Sequence, residues 1–240
     1  MGWAAALRST GLVAALLVAP SFAACGGGTA APPAGGENLV GMLVSADGLD
    51  GGWALDQGTK NGHVPDLEGW GPQPFVCDEA GDGPRTPAEV RWEATRAWVF
   101  AGRPTTVPAG RAPWTYEVRV QEYLLAGSAS TTRKTYDAFA SSMTACASAM
   151  PGPHYSGRTT AVELPAVGDA RTGIETSFLG KGTGRFIGDD RTVLVLDGTV
   201  LMAVTLSERD YVDGRPWLPE PQIDDVELGA IVTTMADKLH

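Results

Sequence analysis

Cys25 and the residues on either side of it limit which part of this chain can form a folded core. Upstream, Arg8 precedes an uncharged apolar stretch, residues 11–19, and a run of small residues leads to the cysteine. Downstream, residues 26–36 are glycine, alanine and proline apart from one threonine, a composition typical of an extended, mobile tether. The sequence therefore predicts a signal segment over 1–24, a tether over 25–36 and one folded domain over 37–240.

Three interpretations of this N-terminal region compete. A membrane-spanning helix needs about 20 apolar residues, whereas the uncharged residues 9–24 are fewer and are interrupted by Ser, Gly and Pro. An ordinary cleaved signal fits better, because Ser21-Phe22-Ala23 offers small residues at a cleavage site. The region also resembles the bacterial lipoprotein signal, although Phe22 stands where that signal usually has leucine. We expect Cys25 to be lipidated, with two or more acyl chains attaching the protein to the extracytoplasmic face of the cell membrane.

The cysteine count supports lipidation. The chain has three cysteines, and an odd thiol in an exported protein is a liability. If Cys25 carries lipid, Cys77 and Cys146 remain to form a disulfide, which persists in an oxidising compartment. That bond would close a loop of about 70 residues and contribute ~4 kcal/mol by restricting the unfolded chain. Two free buried thiols are the alternative, and the absence of a Cys-x-x-Cys pair argues against a redox role.

The charge of the chain argues against some classes of partner. The formal net charge is −10, and loss of Arg8 with the signal segment makes the domain more acidic still. A nucleic-acid-binding surface requires a basic patch, and so does electrostatic docking onto anionic lipid. We therefore predict no nucleic-acid partner and interpret the acidity as a solvated surface that keeps the domain soluble.

Hydrophobic patterning predicts an α+β domain with a mainly antiparallel β-sheet flanked by helices. Asp197-Gly198 between two apolar runs predicts a central hairpin over 193–206, because this dipeptide supplies the positive φ angles of a tight turn. Asp224, with Glu227 three residues later, predicts the start of the last helix. Residues 54–90, rich in Gly and Pro, are expected to be loops. The other expected strands are 91–101, 116–125, 159–164 and 172–179, and the other expected helices are 37–46 and 130–149. In the second of these helices, Tyr136, Phe139 and Met143 recur at the helical period and are expected on its buried face.

Several short segments in this chain occur in a recognisable order. They are Gly51-Gly52-Trp53, Cys77, Val118-Arg119-Val120, a helix closing at Cys146, and Leu164-Pro165-Ala166-Val167-Gly168-Asp169. In this order the chain resembles an actinobacterial family of extracellular sensor domains, typified by the outer domain of the mycobacterial kinase PknH, that also occurs as free-standing lipoproteins. The resemblance implies an antiparallel sheet flanked by helices, with a cleft for a ligand. The kinase's sensor domain has two disulfides and an attached kinase, whereas this chain has cysteines for one pair and no kinase domain.

The sequence contains no recognisable catalytic or cofactor motif. It lacks the Gly-x-Ser-x-Gly elbow of serine hydrolases, its three histidines are not at metal-ligand spacing, and residues 180–185 do not match a phosphate loop. We therefore predict no enzymatic activity, no metal and no cofactor. Carboxylates are plentiful, so an envelope hydrolase using an unrecognised carboxylate pair is an alternative. Asp189, Asp190 and Glu208 are nevertheless expected to be turn or cap residues.

Tryptophans provide the candidate ligand-binding residues. Several flank Gly/Pro-rich segments, and Trp53, Trp98 and Trp114 are predicted to line a ligand cleft, with core packing as the alternative. We predict a non-catalytic binding or sensing module of the cell envelope, held to membrane lipid through acylated Cys25, whose partner is a small ligand or an envelope protein. A structural lipoprotein that docks a partner and takes no small ligand is the other alternative.

Overall fold

The computed structural model describes most of the predicted domain. All described residues belong to one compact unit, Pro33–His240. The signal segment and nearly all of the tether, including Cys25, lie outside them. The described residues are 36–45, 47–49, 52–59, 61–68, 71–72, 90–100, 116–147, 155–180, 186–210 and 223–240.

Helices and strands follow one another in the predicted α+β order. The helices are α1 (Gly36–Met42), α2 (Ala129–Ala147) and α3 (Asp225–Ala236). The strands are β1 (Trp53–Leu55), β2 (Gly62–Glu68), β3 (Arg91–Phe100), β4 (Tyr116–Ala126), β5 (Tyr155–Ala161), β6 (Ala170–Gly180), β7 (Phe186–Asp197) and β8 (Val200–Asp210). Among the described residues, none of the helices combines the length and apolar character of a membrane span.

The strands form one antiparallel sheet, in the order β1-β3-β4-β8-β7-β6-β5. β2 also pairs with β3, alongside β1: Trp53 of β1 lies opposite Phe100, and Glu68 of β2 lies opposite Arg91. β5 to β8 form a meander, after which β8 lies beside β4. Because β8 is central and helices cover both faces, residues 201–204 have no exposed surface.

The two faces of the sheet carry separate hydrophobic cores. On one face, α1 and α3 pack against alternate residues of the central strands, and Trp98 of β3 belongs to this core. On the other face, Tyr136, Phe139 and Met143 of α2 pack into a core that includes Trp92. Their spacing of three and four residues is the helical period from which the sequence predicted this face.

The hairpin and the start of the last helix are confirmed. Asp197 pairs with Val200, so the turn consists of Gly198 and Thr199, one residue later than predicted. Gly198 has a φ of 54°, in the region that glycine adopts without strain. At the start of α3, an Asp224 carboxylate oxygen accepts a hydrogen bond from the backbone N–H of Glu227 at 2.8 Å.

The prediction that residues 54–90 are loops was wrong for part of this range. They contain β2 and most of β1. Both strands form by pairing with β3, and the register of β2 shifts between His63 and Leu67, on either side of Pro65. Glycine and proline weaken the local strand pattern, so pairing with a distant strand decided the structure here. β5 also ends at Ala161, short of the predicted limit at residue 164.

Candidate functional site

The three tryptophans predicted to contact a ligand have different positions. Trp98 is fully buried, and its indole N–H has no hydrogen-bond partner among the described residues. Trp53 is half-buried, and its ring packs against Phe100 with centroids 5.0 Å apart. Trp114 lies outside the described residues. The burial of Trp98 agrees with the core-packing alternative, and a ligand role for any of the three stays a prediction.

The sequence also predicted a lipidated cysteine, a disulfide and no metal site. Cys25 and Cys77 lie outside the described residues, and the Cys146 side chain is not described although its backbone belongs to α2. Lipidation and the disulfide therefore stay predictions. In the part of the chain that the structure describes, no three His, Cys, Asp or Glu side chains are grouped to hold a metal ion.

An open groove of about 500 Å³ lies between the first turns of α2 and the segment that joins β5 to β6. We call it the α2 groove. Arg133 and Tyr136 line it from α2, and Arg171 lines it from β6. Its apolar lining consists of Ala161, Val162, Leu164 and Ala170. The volume is within the range of small-molecule binding sites.

Local structure holds both walls of the groove in place. The hydroxyl oxygen of Ser128 accepts a hydrogen bond from the Thr131 N–H at 3.2 Å, which caps the N-terminus of α2. The segment between β5 and β6 is fixed at both ends, because Val162 N–H donates to Gly173 at 3.0 Å and Asp169 N–H donates to Leu196 at 2.8 Å. The groove is thus bounded by a capped helix and a hydrogen-bonded connection.

Both arginines of the groove are held through their Nε atoms. Arg133 Nε donates to Asp137 Oδ1 at 3.0 Å, and Arg171 Nε donates to the carbonyl oxygen of Leu164 at 3.4 Å. The terminal nitrogens of both side chains make no hydrogen bond with any described residue. Both residues are exposed. Within the described part of the chain, their terminal N–H groups are therefore free to bind another acceptor.

Tyr136 connects the groove to the core. Most of its side chain packs against the sheet, and the Arg133 guanidinium lies 5.7 Å from the centre of its ring. Burial raises the pKa of the Tyr136 hydroxyl and Asp137 raises it further, while the charges of Arg133 and Arg171 lower it. Both arginines therefore lie close enough to the Tyr136 hydroxyl for their charges to affect its pKa.

A buried charge cluster on β6, β7 and β8 is a second candidate. An Arg191 terminal nitrogen lies 2.9 Å from Asp189 and 3.8 Å from Glu175, and Asp189 lies opposite Glu208 in the sheet register. The backbone of Ile223 completes the cluster: its N–H donates to Glu208 at 2.8 Å and its carbonyl oxygen accepts from Arg191. We call this arrangement the Ile223 clamp. Asp189 and Glu208 have no exposed surface, and Arg191 is 3% exposed.

The carboxyl group of Asp189 has an unusual proton affinity. Its pKa is raised to about 8, first because burial removes the carboxylate from water and then because Glu208 and Glu175 are close, while Arg191 acts in the opposite direction. Neither Asp189 oxygen makes a well-oriented hydrogen bond within the described part of the chain. A carboxyl group in these surroundings is largely protonated near neutral pH.

A similar arrangement, the Val44 clamp, holds the chain just beyond α1. The N–H of Val44 donates to Glu122 Oε2 at 3.1 Å, and its carbonyl oxygen accepts from Arg96. Arg96 and Glu122 are cross-strand neighbours on β3 and β4. Burial raises the pKa of Glu122 to about 8, although the bond from Val44 and the charge of Arg96 both act to lower it.

The geometry of the clamps suits holding the chain better than catalysis. A hydrolase needs two carboxyl groups that reach a substrate, but Asp189 and Glu208 are fully buried and Glu208 is bonded to the backbone. Val44 and Ile223 lie outside the helices, and leaving one of their buried backbone groups unpaired would cost ~1–3 kcal/mol. The clamps supply those missing partners.

The prediction that Asp189, Asp190 and Glu208 are turn or cap residues was wrong. They lie within β7 and β8, and Asp189 and Glu208 share the inward-facing register of the buried valines and leucines. The available signal for a buried charge was a charged residue in the inward-facing register of a strand whose polar and apolar residues alternate. Glu122 of β4 is another example. The groove arginines had no such signal, because only the packing of α2 against β6 brings them together.

Comparison with protein-family models, with curated proteins and with solved structures finds no match to this chain. The resemblance to the actinobacterial sensor domains therefore stays a prediction, and the function is inferred from the geometry of the sites alone.

Proposed function

We propose that this protein is a membrane-anchored, extracytoplasmic module of the cell envelope that binds a small ligand in the α2 groove and has no catalytic role. The α2 groove is the observation that carries the proposal. It combines two exposed guanidinium groups, from Arg133 and Arg171, with a wall of apolar side chains. A few polar groups converging on an apolar surface are typical of small-molecule sites.

The anchoring part of the proposal depends on the cysteines. Acylated Cys25 would attach the protein to lipid, and the Gly/Pro-rich tether would let the domain stand off the membrane surface. A disulfide between Cys77 and Cys146 would tie the C-terminal end of α2, the helix that lines the groove, to a distant part of the chain. Intact-mass analysis of the protein extracted from membranes tests both points, and an unacylated or fully reduced protein contradicts them.

Ligand binding in the groove can be tested by thermal unfolding. Ala161 is exposed and lines the groove, so Ala161→Trp should fill it. Ala166 is exposed in the same connecting segment but does not line the groove, so Ala166→Trp is the matched control. A ligand at about 100 times its Kd stabilises the folded state by ~2.7 kcal/mol, which raises the Tm of a domain of this size by roughly 5–10 °C.

The full-length protein in a nonionic detergent would be mixed with lipid and glycan fractions of an envelope extract. We expect one fraction to raise the Tm of the wild-type and Ala166→Trp proteins but not that of Ala161→Trp. If no fraction raises the Tm, or if Ala161→Trp responds as the wild type does, the groove is not the ligand site.

A further inference from the structure

We infer that the α2 groove takes an organic phosphate, with the phosphate group between Arg133 and Arg171 and an apolar portion against Tyr136, Val162 and Leu164. The inference rests on the proposed function, because it specifies the ligand chemistry of the same groove. The phosphate could belong to a lipid headgroup or to a free metabolite, and the experiment below separates these two sources.

The first support is the local charge of the groove. The chain as a whole is strongly acidic, yet the described residues that line the groove include two arginines and no acidic side chain. Asp137 is bonded to Arg133, and Glu163 and Asp169 are next to lining residues in the chain, but none of these three lines the groove itself. Arg171 and Arg133, the second already paired with Asp137, present positive charge to a phosphate monoester, whose charge near neutral pH approaches −2.

The second support is the way the arginines are oriented. Because each Nε atom is bonded to an acceptor of the chain, each guanidinium group has a fixed edge and an unused edge. The unused edge carries the two terminal nitrogens, the geometry that binds a phosphate through two parallel hydrogen bonds. A lysine would offer a point charge without this directional pair, so Arg133 and Arg171 suit an oxyanion such as phosphate better than lysines would.

The third support is the surface beside the arginines. Val162 and Leu164 are half-buried, so each leaves apolar surface exposed at the groove. Tyr136 adds a ring and a hydroxyl that has no hydrogen-bond partner among the described residues. A tyrosine hydroxyl is protonated at neutral pH, and burial raises the pKa of this one further, so it can donate to a phosphate oxygen. A bare anion would leave the apolar surface uncovered.

The test is isothermal titration calorimetry on the full-length protein in a nonionic detergent. The probes are phenyl phosphate, its neutral analogue phenyl glucoside, inorganic phosphate and dihexanoyl phosphatidic acid. We expect phenyl phosphate to bind, inorganic phosphate to bind more weakly, and phenyl glucoside not to bind. Arg133→Gln and Arg171→Gln should each weaken phenyl phosphate binding on the order of tenfold, because each removes a charge-assisted pair of hydrogen bonds.

Lys134→Gln is the matched control. It removes the same charge from the neighbouring position on α2, but Lys134 does not line the groove, so affinity should be unchanged. Tighter binding of dihexanoyl phosphatidic acid than of phenyl phosphate would identify a lipid headgroup as the source, and the reverse order would identify a free organic phosphate. Both outcomes support the inference.

Two outcomes overturn it. If Lys134→Gln weakens phosphate binding as much as the arginine variants do, the effect is a general charge effect and not a site in the groove. If no phosphate probe binds while Ala161→Trp still abolishes stabilisation by an envelope fraction, the ligand is not a phosphate and the proposed function stands. If Ala161→Trp also fails to abolish that stabilisation, both the phosphate inference and the proposed function are contradicted.

Discussion

The Val44 and Ile223 clamps both bind the backbone of one residue next to a helix, but they differ in the number of carboxyl groups around the arginine. In each, one arginine and one glutamate on neighbouring strands bind the carbonyl and the N–H of a single residue at the end of a helix. The Val44 clamp pairs Arg96 with one carboxylate. In the Ile223 clamp, Arg191 lies among three carboxyl groups, those of Asp189, Glu175 and Glu208.

This difference indicates which clamp depends more on its arginine. Arg96 is half-buried and Arg191 is almost completely buried. If Arg96 is removed, water can partly hydrate the groups that lose their partner, whereas water cannot reach the groups around Arg191. Loss of Arg191 would also leave the carboxylates of the cluster facing each other. We therefore expect α3 to be held by a more sensitive contact than α1, and the following variants test that comparison in order of decreasing effect.

Arg191→Met should cause the largest loss of stability, ~3–5 kcal/mol, because it leaves buried carboxyl groups and the Ile223 carbonyl without their cationic partner. Urea denaturation of the full-length protein at neutral pH measures the change. Arg191→Lys keeps the charge and should lose less. A loss below about 1 kcal/mol for Arg191→Met would show that the cluster does not depend on its arginine.

Arg96→Met should cost less, ~1–3 kcal/mol, mainly because the Val44 carbonyl loses its donor. The single carboxyl group of Glu122, whose pKa is raised to about 8, already holds a proton near neutral pH, so the variant leaves no unpaired charge. The same denaturation experiment gives the value. Equal losses for Arg96→Met and Arg191→Met would contradict the idea that charge balance and burial distinguish the two clamps.

The smallest effect, when it is measured over a single pH unit, is that of pH, up to ~1.4 kcal/mol for each group. Asp189 and Glu122 both have raised pKa values, each about 8. The folded protein therefore holds protons that the unfolded chain releases above about pH 4, so their contribution is full below that pH and is lost as the pH rises towards about 8. The free energy of unfolding, measured across this range, should fall with rising pH.

Asp189→Asn and Glu122→Gln remove one of these protons each, so either variant should flatten the pH dependence by about one proton. A larger loss of pH dependence for Asp189→Asn than for Glu122→Gln would reflect the neighbouring carboxylates, which surround Asp189 but do not surround Glu122. If both variants keep the wild-type slope, neither carboxyl group is protonated in the folded state near neutral pH.

The sequence predicted the elements whose signals are local. The period of Tyr136, Phe139 and Met143 indicated the buried face of α2, and Asp197-Gly198 indicated the hairpin. It missed β1, which is three residues long, and β2, which contains glycine and proline, since such strands form only when a partner strand is present. It also misassigned Asp189 and Glu208, because a carboxylate is expected at the surface unless a cation is known to lie beside it.

The sequence by itself determined the helical and strand periods, the turn and cap residues, and a candidate lipidation signal at Cys25, since each depends on neighbours within a few residues. Only the tertiary structure decided which side chains meet. Arg133 and Arg171 share a groove because α2 packs against β6, and Arg191 reaches Ile223 because α3 closes over β7 and β8. The physical reason is that desolvation and charge pairing depend on distances in space, which the order of residues along the chain does not specify.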